Sequence, residues 1–372
     1  MASFARRAAP RIGALTACAV AGAALIAVAP NAAAAIEMTP ELQKIVDGAK
    51  QEGRLEVMMA DSPFGGSRAV PVVQAGINKM FGTNVTVRWT PGPPYAAMGA
   101  KVLTEHQAKQ PASTDAYLAT AVQFAPLIKA GLFREVDWAK LYPERIKPSM
   151  VEGNKTMLRI YTSLPGVVYN KSVEAAVLKT QSLDDFLKPE WKGKFATTPY
   201  LAGFDVLIAD NHWGAGRTEA YVKKLAQQVG WLHGCGGPDR IASGEIPVLV
   251  FDCSGADVNE PKFKNVLGLH VIQDTAQRRY GYYGIPKNAA HPNAAILYTL
   301  WYSSPEGQKK MFELVGYDMS DHPDSVRGRE IAGLEKQGLK FQDVTLDWWN
   351  SQPKITPTHV KLIRLLQAES KK

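Results

Sequence analysis

Short apolar runs alternate with amphipathic stretches along most of this sequence. In chain order the pattern predicts a helix at 41–52, a strand at 55–59, a helix at 70–81, a strand at 85–89, a helix at 95–109 and strands at 115–119, 194–198 and 246–251. Such alternation indicates an α/β fold with mostly parallel sheets and helices on both faces. Ligands of such folds bind outside the carboxyl ends of the strands.

The first 35 residues have the layout of a secretory signal. Three arginines and no acidic residue precede or open an apolar run from Ile12 to Ala29, and small residues end the segment at Ala35. The run is rich in alanine and glycine, which favours a cleaved leader over a membrane anchor. Cys18 leaves a lipid-anchored form open, and the arginine pair leaves twin-arginine export open. We expect a signal peptide at 1–35 and a periplasmic mature protein.

Charge and length limit the remaining possibilities. The leader contains three of the 43 basic residues and none of the 35 acidic ones, so the mature chain has a formal charge of +5. The basic residues are spread without long runs, which gives no indication of nucleic acid as a partner. A mature chain of about 337 residues is too long for one ordinary core and predicts two lobes.

Cys235 and Cys253 are the two cysteines that follow the leader. In an oxidising compartment such a pair predicts a disulfide. The cysteines bracket a predicted helix at 238–244 and the strand at 246–251, whose outer ends lie at the same edge of the sheet. Free thiols or a metal site are the alternatives, although only His233 is near enough in sequence to join the cysteines as a ligand.

Three stretches resemble a known family. They are LPGVVYNKSVEAA (164–176), SLDDFLKPEWKGKFATTPY (182–200) and IPKNAAHPNAAILYTLWYSSPEGQKKMFE (285–313). They are similar to the substrate-binding proteins of ABC importers, in the branch that includes the periplasmic ferric-iron binders. The resemblance extends over about residues 37–320. It implies the type II periplasmic binding protein fold, an α/β fold with the ligand in a cleft between two lobes that close about a hinge.

The same resemblance implies the lobes, the partners and the absence of chemistry. Lobe 1 would comprise 36–133 with 282–320, and lobe 2 would comprise 134–281 with 321–372. The expected partners are a small-molecule ligand, an ABC permease and its ATPase, and we expect a monomer with no cofactor. A chemosensory ligand-presenting protein and a secreted hydrolase are alternatives, but the sequence contains no nucleophile elbow, zinc-protease motif, P-loop or dinucleotide fingerprint.

The sequence departs from the ferric-iron branch where that branch typically places two adjacent tyrosines. At that position this chain has Asp252-Cys253, followed by Ser254. Tyr282-Tyr283 is an adjacent pair, but it falls in the expected hinge strand, where successive side chains point to opposite faces. We therefore predict no metal site and keep ferric iron as the alternative ligand.

The favoured ligand is a small organic anion, such as a carboxylate with an apolar or aromatic body. The loop at 62–70 precedes a helix and offers backbone N–H groups to an anion, and the loop at 198–204 adds a second helix start with aromatic side chains. Simple helix capping is the alternative for both loops, and Asp252 would suit an amine or a hydroxyl. The candidate ligand-binding residues are Ser62, Ser67, Arg68, Thr120, Tyr161, Tyr200, Gly203, Asp252, Ser254 and Tyr283.

Overall fold

The computed structural model describes residues 36–370, so the predicted signal peptide lies outside the described residues. The α-helices are α1 (Pro40–Glu52), α2 (Asp61–Phe64), α3 (Ala69–Phe81), α4 (Tyr95–Gln107), α5 (Ala121–Lys129), α6 (Trp138–Leu141), α7 (Glu174–Val177), α8 (Phe204–Ile208), α9 (Gly214–Gln228), α10 (Pro238–Ala242), α11 (Pro292–Ser303), α12 (Pro305–Val315), α13 (Val326–Lys336), α14 (Leu346–Asn350) and α15 (Ile355–Glu369). The strands are β1 (Arg54–Met59), β2 (Thr86–Pro91), β3 (Tyr117–Ala119), β4 (Val151–Glu152), β5 (Met157–Ser163), β6 (Val167–Asn170), β7 (Ala196–Thr197), β8 (Trp231–Leu232), β9 (Val248–Val250), β10 (Leu267–His270), β11 (Gln277–Gly284) and β12 (Gln342–Val344).

The predicted alternation of helices and strands is confirmed, with ends shifted by a few residues. Local chemistry explains the helix starts. The hydroxyl of Thr39 accepts a hydrogen bond of 3.2 Å from the backbone N–H of Leu42, and Pro40 occupies the first helical position of α1. Ser304 caps α12 in the same way, by accepting from the N–H of Gly307 at 3.0 Å.

The described strands form three sheets. β1 pairs with β2, a second sheet has the order β10-β6-β9-β7-β8, and a third has the order β12-β11-β5-β4 with β3 beside β11. The pairs β1–β2, β7–β8, β7–β9 and β11–β12 are parallel, and the others are antiparallel. The sheets are therefore mixed but not mostly parallel, because the β4–β5 hairpin and the strands β6 and β11 add antiparallel pairs.

β11 is the strand that connects the most distant parts of the chain. Its first residues, from Gln277, pair with β12, while Arg279–Tyr283 pair with β5 and Tyr282–Gly284 with β3. Tyr282 and Tyr283 lie on opposite faces of this strand, as expected: the first donates to Glu152 and the second is hydrogen-bonded to Tyr298.

The buried hydrophobic side chains gather mainly in two clusters. The first draws mainly on residues 42–161 and 280–319, and the second on 167–272 and 355–366. Residues 138–161, which we assigned to lobe 2, have their buried side chains in the first cluster. The limits of the lobes stay a prediction. α15 packs on α8 and α9, within the second cluster.

None of the helices in the described part of the chain combines the length and the apolar character that a membrane crossing requires.

Candidate functional site

The segment after β9 folds into a tight turn around Asp252. The Oδ2 atom of Asp252 accepts hydrogen bonds from the backbone N–H groups of Ser254, at 2.9 Å, and Gly255, at 2.7 Å. Phe251, just before it, has a φ of +61°, which residues other than glycine rarely adopt. The carboxylate is only 2 % exposed. The carboxylate of Asp252 therefore stabilises the loop at the carboxyl end of β9.

A disulfide fastens this turn to the segment that follows β8. Cys235 and Cys253 are bonded, with their Cα atoms 6.0 Å apart, which confirms the prediction from the cysteine pair. Tyr200 lies over the bond: its hydroxyl accepts from the backbone N–H of Cys235 at 2.8 Å and lies 3.6 Å from Sγ of Cys253. Loops from 198–204, 233–237 and 251–257 therefore meet at one edge of the second sheet.

Tyrosines join this edge to strand β5, which pairs with β11. The hydroxyl groups of Tyr161 and Tyr95 share a hydrogen bond of 2.9 Å, and the ring of Tyr161 lies 4.3 Å from that of Tyr317 between centroids. The hydroxyl of Tyr317 is hydrogen-bonded to Ser254. Two residues predicted separately, Tyr161 and Ser254, are thus brought together by Tyr317, which sequence reasoning missed.

The tyrosine hydroxyls are neutral hydrogen-bonding groups. Burial raises the pKa of Tyr95 to about 12 and raises the pKa values of Tyr161 and Tyr317 well above the ordinary value. A signal for Tyr95 was present in the sequence, because it begins a helix directly after the strand at 86–91, where ligands of α/β folds bind.

Asp257 is a second residue that sequence reasoning missed. It begins a 3₁₀ turn, Asp257–Asn259, one step beyond the Asp252 turn. Burial and, after it, the neighbouring carboxylate of Asp252 raise the pKa of Asp257 to about 8. Both carboxyl groups interact electrostatically with Tyr317. We call Tyr95, Tyr161, Tyr200, Asp252, Ser254, Asp257 and Tyr317 together the candidate site.

The loop at 62–70 differs from the predicted anion site. The predicted loop instead contains the short helix α2 and a 3₁₀ turn at Gly66–Arg68, and α3 follows directly. The side chains of Ser62, Ser67 and Arg68 are exposed. The carboxylate of Asp61 lies against Gly66. Arg68 interacts electrostatically with Glu260, whose pKa is raised by burial although Arg68 opposes the shift. Two carboxylates of the chain itself, those of Asp61 and Glu260, therefore lie near the loop where we expected a ligand anion.

Three other residues that we predicted to bind ligand have structural roles instead. The hydroxyl of Thr120 donates a hydrogen bond of 2.7 Å to Oε1 of Gln123 at the start of α5. Gly203 has a φ of +81°, and the ring of Phe251 stands where a side chain would begin, so only glycine fits. Tyr283 is fully buried and hydrogen-bonded to Tyr298 at 2.5 Å, behind the candidate site.

Two surface cavities lie away from the candidate site. One, of about 640 Å³, is lined by residues from α6, the β4–β5 hairpin and the start of α14. The other, of about 660 Å³, is lined by two tryptophans, Trp191 and Trp231, and by Lys179, Lys188 and Lys194. Neither includes a residue of the candidate site. Within residues 36–370, no group of three or more His, Cys, Asp or Glu side chains is arranged to hold a metal ion.

Comparisons with known proteins agree with this architecture. Residues 75–320 match the model of a family described as bacterial extracellular solute-binding protein. No curated protein matches the sequence. Among solved structures, a putative spermidine/putrescine ABC transporter from Listeria monocytogenes is 16 % identical with a TM-score of 0.61, covering 85 % of this chain and 99 % of that one.

Two structures solved with iron are similar to the same degree. Iron-bound HitA from Pseudomonas aeruginosa is 16 % identical with a TM-score of 0.61, over 85 % of this chain and 99 % of that one. Trichodesmium IdiA (FutA) in complex with iron and citrate is 16 % identical with a TM-score of 0.59, over 86 % of this chain and all of that one (100 %). These similarities confirm the two-lobed α/β fold.

Proposed function

Because this chain belongs to the bacterial extracellular solute-binding proteins, we propose that it is the solute-binding component of an ABC importer. It binds one small ligand in a cleft between two lobes, closes about a hinge and presents the ligand to a permease and its ATPase. The proposal includes a leader at 1–35, a periplasmic monomer and no chemistry on the ligand. Support comes from the family and from a structural neighbour that is described as an ABC transporter.

The candidate site supports a ligand that carries an amine better than the organic anion favoured by the sequence. Burial, and after it the charge of Asp252, raise the pKa of Asp257 to about 8, so Asp257 retains its proton near neutral pH. A bound ammonium group would favour the ionised form of Asp257, and the faces of Tyr200 and Tyr317 would attract the same charge. The pair of carboxyl groups beside Tyr317 is the observation that carries this choice of ligand.

An organic anion is the second candidate, and Arg68 favours it. The side chain of Arg68 is exposed and donates no hydrogen bond to any described residue, so a ligand carboxylate would compete only with the electrostatic interaction between Arg68 and Glu260. The nearby carboxylates of Asp61 and Glu260 weigh against this candidate. Ferric iron is the alternative that the hydroxyls of Tyr95, Tyr161 and Tyr317 would serve, and two similar structures hold iron.

Calorimetric titration decides among these ligands. Protein freed of co-purified ligand by unfolding and refolding with its disulfide intact is titrated with spermidine, citrate and ferric citrate. We expect spermidine to bind with one site, Asp257→Asn to weaken it at least tenfold and Arg68→Ala to leave it unchanged.

Other outcomes contradict defined parts of the proposal. If citrate binds and Arg68→Ala weakens it by about 1.5–3 kcal/mol, or about ten- to hundredfold, the ligand is an anion. If ferric citrate alone binds, the ligand is iron. A protein whose thermal stability is raised by no member of a broad panel of amines, acids, sugars and metal salts is not a solute-binding protein.

A further inference from the structure

The carboxyl-terminal segment of the chain contacts both loops that form the lobe 2 side of the candidate site. This segment, residues 321–370, is here called the C-terminal segment and includes α13, α14 and α15. The match to the solute-binding family ends at residue 320. The family description therefore gives no account of what this segment does.

Arg327, on α13, holds the turn of Asp252 from behind. Its side chain is fully buried; Nη2 donates to the carbonyl of Gly255 at 2.9 Å and Nη1 donates to Glu330 at 2.6 Å. Since the N–H of Gly255 donates to Asp252, this glycine is held through both its N–H and its carbonyl. The Nε atom of Arg327 is buried and has no partner among the described residues. Burying a guanidinium with one donor unpaired is unfavourable, which points to a task other than packing.

Two side chains of α15 hold the backbone on either side of Tyr200. Nε2 of His359 lies 2.9 Å from the carbonyl oxygen of Leu201, and because a carbonyl only accepts, this nitrogen carries the hydrogen. Nε2 of Gln367 donates to the carbonyl of Pro199 at 3.0 Å. Leu201 has a φ of +49°, an unfavourable conformation for leucine that needs support from its surroundings.

We propose that the C-terminal segment positions the ligand-binding loops, with Arg327 and His359 as the positioning residues. Arg327 fixes the turn that presents Asp252 and Ser254, and His359 fixes the loop that presents Tyr200. This rests on the proposed function in one respect, namely that these loops face the ligand. Covering the second cluster would need only the buried apolar face of α15, Ile355, Leu362 and Leu366, and none of the polar contacts.

Variants of His359 in the full-length protein test the α15 contact. His359→Leu removes the donor at similar volume, and His359→Gln keeps an N–H donor on a side chain of similar reach. Lys361→Ala is the matched control, because Lys361 lies on the same helix and pairs only with Glu219 among described residues. The first readout is hydrogen–deuterium exchange of peptides covering 199–204 and 251–257, which requires no ligand.

We expect His359→Leu to speed exchange in 199–204 at least tenfold while β9 and α9 stay protected, His359→Gln to restore most of the protection, and Lys361→Ala to match wild type. The disulfide should also be reduced faster by dithiothreitol in His359→Leu, because Tyr200 lies over it. Arg327→Met should speed exchange in 251–257, with Arg329→Ala as its exposed neighbour control. If Arg327→Met fails to fold, the His359 series is decisive alone.

Titration with spermidine separates the two proposals. Faster loop exchange in His359→Leu together with at least tenfold weaker spermidine binding supports both. If loop exchange is faster in His359→Leu but the wild-type protein binds no spermidine, the positioning role is supported and the amine ligand is contradicted. Unchanged exchange in both loops overturns the positioning role, whether or not spermidine binds.

Discussion

Burial keeps the side chain of His322 neutral, and this should make the protein sensitive to acid. His322 is 4 % exposed, its Nε2 has no hydrogen-bond partner among the described residues, and burial together with the charge of Arg145 lowers its pKa to about 3. The unfolded chain, in which a histidine has a pKa of about 6.5, takes up a proton that the folded protein does not accept. Stability contributed by this residue is therefore lost as the pH falls.

We expect the free energy of unfolding to decrease between about pH 6.5 and 3, by at most about 1.4 kcal/mol per pH unit from this residue. Urea unfolding at pH 7, 5.5 and 4.5 measures the slope, and His322→Asn should flatten it whatever its effect at pH 7. His106→Asn, on the surface side of α4, serves as the control. An unchanged slope in His322→Asn would show that other groups cause the acid sensitivity.

Asp257 gives a second pH-dependent prediction. Because its pKa is raised to about 8, the free protein holds this proton at pH 7, and an amine ligand should displace it. Spermidine titrations in buffers of different ionisation enthalpy should show release of close to one proton, which Asp257→Asn abolishes. In the free protein the same shift has the opposite sign to that of His322, so stability from this group is lost as the pH rises from about 4 to about 8. Binding without proton release would place the amine elsewhere.

At the level of single residues, the sequence predicted features that depend on nearby residues and on composition, and it did not predict those that depend on tertiary packing. The pairing of Cys235 with Cys253 was predicted because two cysteines follow the leader and because the expected compartment is oxidising. Tyr317 and Asp257 were not identified, because Tyr317 meets Tyr161 only through packing between distant segments. The raised pKa of Asp257 likewise depends on burial and on a neighbouring carboxyl group, and neither can be read from a sequence.

Helix α11 depends on a cap from another helix. The carboxylate of Glu52, at the end of α1, accepts from the N–H and side-chain amide of Asn293 and from the N–H of Ala294, at 2.7–3.1 Å. Glu52→Ala would leave these donors unpaired at the start of a helix that is buried almost throughout. We expect a loss of about 1–3 kcal/mol in the free energy of unfolding.

Urea unfolding measures this loss, and Glu41→Ala is the control on the same helix. Glu41 forms only an exposed ion pair with Lys140, so its removal should have no measurable effect. Equal effects of the two variants would mean that the helix propensity of α1, rather than the cap of α11, accounts for the change.

The disulfide should stabilise the second sheet through the loop that it closes. Its cysteines are 18 residues apart, and closing a loop of that length is expected to stabilise a protein by about 3 kcal/mol. Replacing both cysteines by serine should lower the free energy of unfolding by that amount. A much smaller loss would mean that the Asp252 turn and Tyr200 hold the loop equally well without the bond.

At the level of elements, helices and strands were predictable because each depends on nearby residues, such as the Thr39-Pro40 start of α1. Strand pairing was not. The sequence indicated a strand around Tyr282-Tyr283 but not the neighbours of β11, which come from residues 117–119, 158–163 and 342–344. Chain length predicted two lobes, but the type of two-lobed fold came from the resemblance, since no local pattern specifies it.

For the molecule as a whole, one buried ion pair joins β11 to the helix that follows the Tyr200 loop. The guanidinium of Arg279, on β11, donates to both oxygens of Asp205, on α8, at 2.7 and 2.8 Å. Although burial opposes it, the charge of Arg279 holds the pKa of Asp205 below its ordinary value. Asp205→Ala would leave a largely buried arginine without its partner, and we expect a loss of about 3–5 kcal/mol.

The double variant Asp205→Leu with Arg279→Met separates the charge from the packing. Removing both charges should recover much of the stability, since an apolar pair of similar volume has no charge to desolvate. Denaturant unfolding of the single and double variants gives the comparison. A double variant as unstable as Asp205→Ala would show that the pair itself is required.

The position of β11 also determines when this chain can fold. The strand takes partners from residues as early as 117 and as late as 344, and the first helix packs on one that begins at 292. Contacts of such long sequence separation give a high contact order, and loops must close before these contacts stabilise anything. A chain emerging amino end first therefore lacks β11 until residue 284 appears, and it lacks the outermost strand β12 until residues 342–344 appear. Native structure should form late, near the end of synthesis.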